Sequence, residues 1–231
     1  MDERFIQLKT ILTVYLQEAY DSVKGLDVSK QNVVDTHAEF GPSSKLASQA
    51  LGMFYFMIGQ NRLTIDRLDS AFKAYIGYLE QTLTAKGTPM EKDGQRLKSN
   101  WEAHLTDIQK AKTSLEEREK SLQMVHGKEE KEVLAASAMK FTEETNYILK
   151  LNNVLSLYAD YVGYLEEKLA IQGGFMGDDY IADMLRDIFL GLEKQFEFEL
   201  ERICPRCAQT IMVSPQSPKL ICPYCGGNIG L

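Results

Sequence analysis

Apolar side chains return every seven residues through most of this chain, and that period admits few folds. From about Ser44 to Lys86, Leu51, Ile58, Ile65, Phe72 and Leu79 form one column, with Phe54, Leu68 and Tyr75 in complementary positions. From about Glu91 to Val125 the seam is Leu97, Trp101, Ile108, Leu115 and Leu122, flanked by charged faces. From about Lys128 to Gln172, Leu134, Phe141, Ile148, Leu155, Val162 and Leu169 keep the same interval. Such columns define long helices that each bury a stripe against other helices.

Two further helices frame these three. Phe5, Leu8, Leu12, Tyr15, Leu16, Ala19 and Val23 predict a first helix over about Glu3 to Lys24. Gly25 to Ser44 shows no clear period and reads as a loop, ending on Ser44 as an N-cap. Asp178 and Asp179 predict the start of a last helix over about Tyr180 to Arg202, with Ile181, Leu185, Ile188, Leu192 and Phe196 inward. The fold class is therefore mainly α: an elongated antiparallel bundle of about five helices over residues 1–201.

An internal repeat runs through this bundle. Tyr75-Ile-Gly-Tyr-Leu-Glu80 returns as Tyr161-Val-Gly-Tyr-Leu-Glu166, and from 75–87 to 161–173 seven of thirteen positions are identical at an offset of 86. A duplicated helical hairpin would explain this, the two copies packing with pseudo-twofold symmetry. Gly77 and Gly163 would then mark equivalent close helix crossings.

Charge and composition narrow the function classes. The net charge is −7, from 33 acidic and 26 basic residues, which disfavours a broad nucleic-acid-binding face. The N-terminus enters an amphipathic pattern with no signal-peptide core, and the most apolar run, 51–58, is too short to cross a bilayer. These features predict a soluble cytoplasmic protein. No phosphate loop, catalytic triad or nucleotide motif is present. His104 falls on a seam column and His37 and His126 in a loop and at a helix end. The aromatic run Phe54, Tyr55, Phe56 reads as core.

Chemistry is specified only at the end of the chain. Its four cysteines, Cys204, Cys207, Cys222 and Cys225, form two Cys-x-x-Cys pairs separated by fourteen residues. Four thiolates at that spacing suit one tetrahedral metal ion. A β-favouring run, Gln209–Val213, and a return run, Lys219–Ile221, lie between the pairs around a Ser- and Pro-rich turn.

The pairs Cys204-Pro-Arg-Cys207 and Cys222-Pro-Tyr-Cys225-Gly-Gly resemble the knuckles of the zinc ribbon family. The resemblance covers about residues 202–228 of a module expected over 202–231, and implies one structural Zn2+ on a β-hairpin whose exposed face meets protein or nucleic acid. Arg206, Lys219 and Tyr224 are the candidates for that face. A closed four-cysteine site leaves no position for substrate, so catalysis is not expected. The second knuckle is also similar to that of rubredoxin, an iron electron carrier, and bundle plus knuckle is similar to rubrerythrin. No histidine here follows a Glu by three residues, so the Glu-x-x-His motif of a di-iron bundle is missing. Ala208 also departs from the glycine usual in rubredoxin.

The expected role is a non-enzymatic adaptor or assembly protein that binds other proteins and forms a homodimer through its helical seams. The alternatives are a nucleic-acid-associated ribbon protein of transcription or translation, and an iron redox protein.

Overall fold

The computed structural model describes residues 2–41, 44–125, 127, 130–196, 200–204, 206–213 and 221–227. Five helices carry most of the chain: α1 (Glu3–Phe40), α2 (Lys45–Ala85), α3 (Lys92–Met124), α4 (Glu130–Lys168) and α5 (Asp179–Phe196). Two short strands follow, β1 (Leu200–Ile203) and β2 (Thr210–Val213). The mainly helical class is as the periodicity predicts.

α1 departs from expectation by running on past Lys24 to Phe40. Residues 25–40 do carry a stripe, in which Leu26, Ser29, Val33 and His37 are buried. One polar and one titratable residue in four positions hide that stripe from a search for apolar spacing. His37 is therefore helical, not in a loop, and its ring donates from Nδ1 to the Val33 carbonyl at 2.9 Å. Gly25 is tolerated because the helix packs tightly there: a Cβ at this position would lie 3.2 Å from the Met57 methyl. The helix stops at Gly41, whose φ of 77° places it in the left-handed region that glycine occupies without strain.

α2 begins as predicted, with the Ser44 hydroxyl accepting the Ala47 amide at 3.0 Å. α5 is capped by Asp178, whose carboxylate accepts the Tyr180 amide at 3.0 Å. α5 ends at Phe196, not Arg202. The run Phe196-Glu-Phe-Glu-Leu-Glu201 alternates apolar and charged residues at period two, a strand signal that the preceding helical stripe obscures. β1 accordingly starts at Leu200, ahead of the boundary expected at 202.

The chain forms two compact units, to each of which α1–α5 contribute segments. The first comprises residues 1–24, 61–109 and 148–192. Its contacts fix helix directions. Residues 2, 5, 18 and 22 of the α1 side meet Tyr78, Tyr75, Arg67 and Asn61 of α2, so the two helices are antiparallel. α3 and α4 are likewise antiparallel, with Trp101 against Tyr158 and Glu91 bound to Lys168.

The repeated motifs meet inside this unit, and they exchange hydrogen bonds. Tyr75 donates to Glu166 at 2.6 Å, and Tyr161 donates to Glu80 at 2.7 Å. The first tyrosine of each copy thus binds the glutamate of the other. The second tyrosines are matched as well, since Tyr78 donates to Asp2 and Tyr164 accepts from the Glu91 amide, each at the start of the preceding helix. Phe72 of α2 packs on Tyr158 of α4, again 86 residues apart, so the two copies run parallel at equal height and each tyrosine reaches along the pair to its glutamate about a local twofold. Gly77 and Gly163 are not close crossings, however. A Cβ at Gly77 would meet nothing within 4 Å, and one at Gly163 only the Met176 Cβ at 3.9 Å. The close approaches lie elsewhere: at Gly94 under the Tyr164 ring, at Gly174 beside Glu166, and at Gly191 against Val23.

The second unit comprises residues 25–60, 110–147 and 193–231. In it Phe141 packs on Phe54 and Tyr55, with ring centroids 6.3 and 4.5 Å apart. α5 is tied to α1 by Gln195 on Asp27 at 3.0 Å and by Lys30 on the Lys194 carbonyl at 2.6 Å. Phe54 is core, as expected; Phe56 is not, being 59% exposed.

Candidate metal centre

The strands set the first cysteine pair. β1 and β2 are antiparallel, with Ile203 opposite Thr210, and the ladder continues into Cys204, whose amide donates to the Gln209 carbonyl at 2.9 Å. The first knuckle is therefore itself the turn of the hairpin. This corrects the expected arrangement, in which the hairpin strands lay between the knuckles. Lys219 and Leu220, expected in the return strand, lie outside the described residues. β1 also stands where the last helix was expected to run on to Arg202, so Cys204 follows a strand and not a helix.

The second knuckle copies the first. The Cys222 amide donates to the Gly227 carbonyl at 2.8 Å, and the Gly226 amide to the Cys222 carbonyl at 2.9 Å. The matching bond in the first knuckle joins the Ala208 amide to the Cys204 carbonyl at 2.9 Å. Gly226 and Ala208 both take the left-handed conformation, with φ of 65° and 58°. Glycine does so freely, whereas alanine is strained by its Cβ.

These turns bring all four sulfurs together. The Sγ atoms lie within 4.8 Å of one another, with Cys204 to Cys225 and Cys207 to Cys222 each at 3.6 Å. Four thiolates at about 2.3 Å from one ion would have sulfurs about 3.8 Å apart, whereas a disulfide would need about 2 Å. The cysteines are free thiols. Among the described residues, they are the one group of three or more Cys, His, Asp or Glu able to share an ion. Cys204 and Cys222 are buried with Ile211, which forms a small apolar floor.

The electrostatics of the cage favour a cation. Burial raises the Cys204 thiol, but amides of Cys207 and Arg206 and the neighbouring thiols favour its thiolate, and its pKa falls to about 6. At Cys207 the Gln209 amide favours ionisation, but burial and the three other sulfurs outweigh it and push the thiol up to about 12. Bare protein thus accommodates a negative charge at Cys204 readily and resists one at Cys207. A divalent ion among the sulfurs removes that resistance.

Arg206 and Tyr224 are exposed, as predicted for a contact face. Tyr224 is 67% exposed, so it does not pack onto the last helix. Met212 and Ile221 are also open to solvent, a pair the sequence reading missed although both sit in β-favouring runs beside the knuckles. His104 is exposed although Ala111, seven residues on in the same column, is buried, so that column is not buried at its position. His126 lies outside the described residues.

Among the described residues, no helix is long and apolar enough to cross a membrane. No family model matches the chain, and neither a curated protein nor a solved structure does.

Proposed function

We propose that the chain is a non-enzymatic adaptor or assembly protein whose terminal module is a zinc ribbon, working in a reducing, cytoplasmic compartment. The observation that carries this reading is the sulfur cage. Four thiol groups from two knuckles with matching backbone hydrogen bonds converge at ligand spacing, and an ion held by four protein ligands has no coordination position left for substrate. Zinc is the favoured ion because four soft thiolates in a tetrahedral arrangement suit it, and because a structural ion supplies stability to a hairpin too small to have its own core.

A protein partner is supported by what surrounds the cage. Among the described side chains of the module, Met212, Ile221 and Tyr224 are exposed together with Arg206. Such a surface resembles the apolar centre of a protein interface more than a phosphate-binding face, which gathers Lys and Arg. Two measurements test the reading. Elemental analysis should find one zinc per colourless chain, and a red protein with one iron would instead establish the redox alternative. Affinity capture with the wild type beside a Cys222→Ser/Cys225→Ser variant should lose partners in the variant. Identical partners in both, or a salt-sensitive shift of labelled RNA or DNA by the full chain, would count against it.

A further inference from the structure

The seams of α3 and α4 that motivate a homodimer are largely consumed within the chain: Ile108, Leu115, Phe141, Ile148, Leu155 and Val162 are all buried. A different column is left outside. On α2, Leu46, Met53 and Phe56 are 49%, 56% and 59% exposed, and Gln49 and Gln60 are exposed between them. Leu63, further along the same helix, is 44% exposed. The intervals are three, four, three, four and three residues, the a and d positions of a coiled-coil seam.

Two properties distinguish this column from scattered surface apolar residues. The first is charge: residues 46–61 contain no Asp, Glu, Lys or Arg, in a chain that is 26% charged. Charge depletion with exposed Met and Phe marks the centre of an interface. The second is order. Read in either direction the column is apolar, Gln, apolar, apolar, Gln, apolar. In an antiparallel pairing, a positions of one helix face d positions of the other. Leu46 then meets Leu63, Gln49 meets Gln60, and Met53 meets Phe56, each twice by symmetry. Every glutamine faces a glutamine and no polar group is buried against an apolar one. A parallel pairing would also set glutamine on glutamine, but it stacks the two Phe56 rings in one layer and the two Met53 side chains in the next, whereas the antiparallel pairing sets a thioether against a ring in both central layers. Gly52 flanks the central layers with open space around it, so the backbones have room to approach.

We infer that α2 pairs antiparallel with α2 of a second copy of this chain, through Leu46, Gln49, Met53, Phe56, Gln60 and Leu63. The exposed side chains amount to on the order of 500 Å² per copy, so pairing would bury about 1,000 Å², the lower threshold for a specific association. The dimer is therefore expected to dissociate in the micromolar range rather than to be obligate.

A complementation experiment tests both the pairing and its direction. Zinc-loaded full-length wild type, Met53→Glu and Phe56→Lys are run by sedimentation velocity over a concentration series, alone and with the two variants mixed. Both positions are exposed, so the helical circular dichroism and melting temperature should not change. Wild type should dimerise, and each variant alone should weaken association at least tenfold. The mixture should recover it, because an antiparallel heterodimer has one Glu–Lys layer and one unaltered Met–Phe layer. Gln49→Glu with Gln60→Lys offers the same test on the polar layer should either first variant misfold. Wild type monomeric at hundreds of micromolar would overturn the inference, as would dimeric single variants or a mixture that stays monomeric. The inference rests on the assembly reading above, but the two fail separately. A monomeric wild type that retains a ribbon-dependent partner sinks only the seam. A dimer with no ribbon-dependent partner sinks only the ribbon's role.

Discussion

Removing one hydroxyl from each copy of the repeated motif should have unequal effects. Tyr75 and Tyr161 are both wholly buried, and each donates to a glutamate of the other copy. The acceptors differ in their surroundings. Glu166 is buried, and its carboxylate holds the chain after α4 by accepting the Phe175 amide at 2.6 Å and the Met176 amide at 2.9 Å. The Tyr75 hydroxyl completes that set. Glu80 keeps a side chain 26% exposed and is also bound by Lys98 at 2.8 Å. It loses less when its tyrosine hydroxyl is removed, because water and the ammonium remain.

A hydrogen bond to a buried charged group contributes about 1.5–3 kcal/mol, whereas one that solvent can replace contributes about 0.5–1.5 kcal/mol. Tyr75→Phe should therefore destabilise by about 2 kcal/mol and Tyr161→Phe by about 1 kcal/mol. For a chain of this size those values correspond to falls of about 4–8 °C and about 2–4 °C in melting temperature. The two substitutions remove the same atom from equally buried rings, so each controls for the other in a thermal melt followed by circular dichroism. Equal losses, or a larger loss at Tyr161, would refute the account of Glu166 as the more dependent acceptor.

Other consequences can be measured on the same protein. Ala170 and Ala208 hold positive φ of 51° and 58° on exposed sites, so Ala170→Gly and Ala208→Gly should each stabilise by about 1 kcal/mol, the former in a melt and the latter in chelator competition. Chelating the metal should disorder the hairpin of β1 and β2 while the helical signal at 222 nm changes by only a few per cent, because the helices bury their own apolar stripes. Burial, reinforced by Glu166, Asp69 and Glu80 respectively, raises the phenols of Tyr75, Tyr158 and Tyr161 above their ordinary value near 10. Their contribution to stability is complete below pH 10 and is lost as pH climbs toward the folded-state values, so unfolding should begin above pH 10 together with a late rise in tyrosinate absorbance.

Long columns of one chemical type were legible in the sequence, and mixed ones were not. α2, α3 and α4 follow from Leu, Ile and Phe at strict spacing, and their ends fall within a few residues of Gly87, Gly127 and Gly173. The second half of α1 was missed because Ser29 and His37 occupy buried positions that only tertiary packing reveals. The end of α5 was misplaced because a period-two run abuts a helical stripe, and the change of period at Phe196 marks the boundary. Four cysteines announced the cage directly, since no other arrangement of their spacing satisfies four thiolates so simply. Glu166 could not be read from sequence. Its burial depends on two amides after α4 and a tyrosine ninety-one residues away.

The repeat accounts for why these particular polar residues are affordable inside a helical core. A buried carboxylate is costly unless every oxygen is satisfied. In a parallel pair of helices at equal height, each tyrosine reaches about 7.5 Å along the axis to the glutamate five residues on in the other copy. One short motif, present twice, thus supplies both donor and acceptor at two sites. A slip of α2 against α4 by one residue would shift the two tyrosine–glutamate separations by about 1.5 Å in opposite senses, so the exchanged pair opposes slip in either direction and fixes the register that apolar columns alone leave loose. The double variant Glu80→Gln/Glu166→Gln should accordingly retain most helix content while broadening the melting transition. A transition as sharp as that of wild type would show that packing sets the register without them.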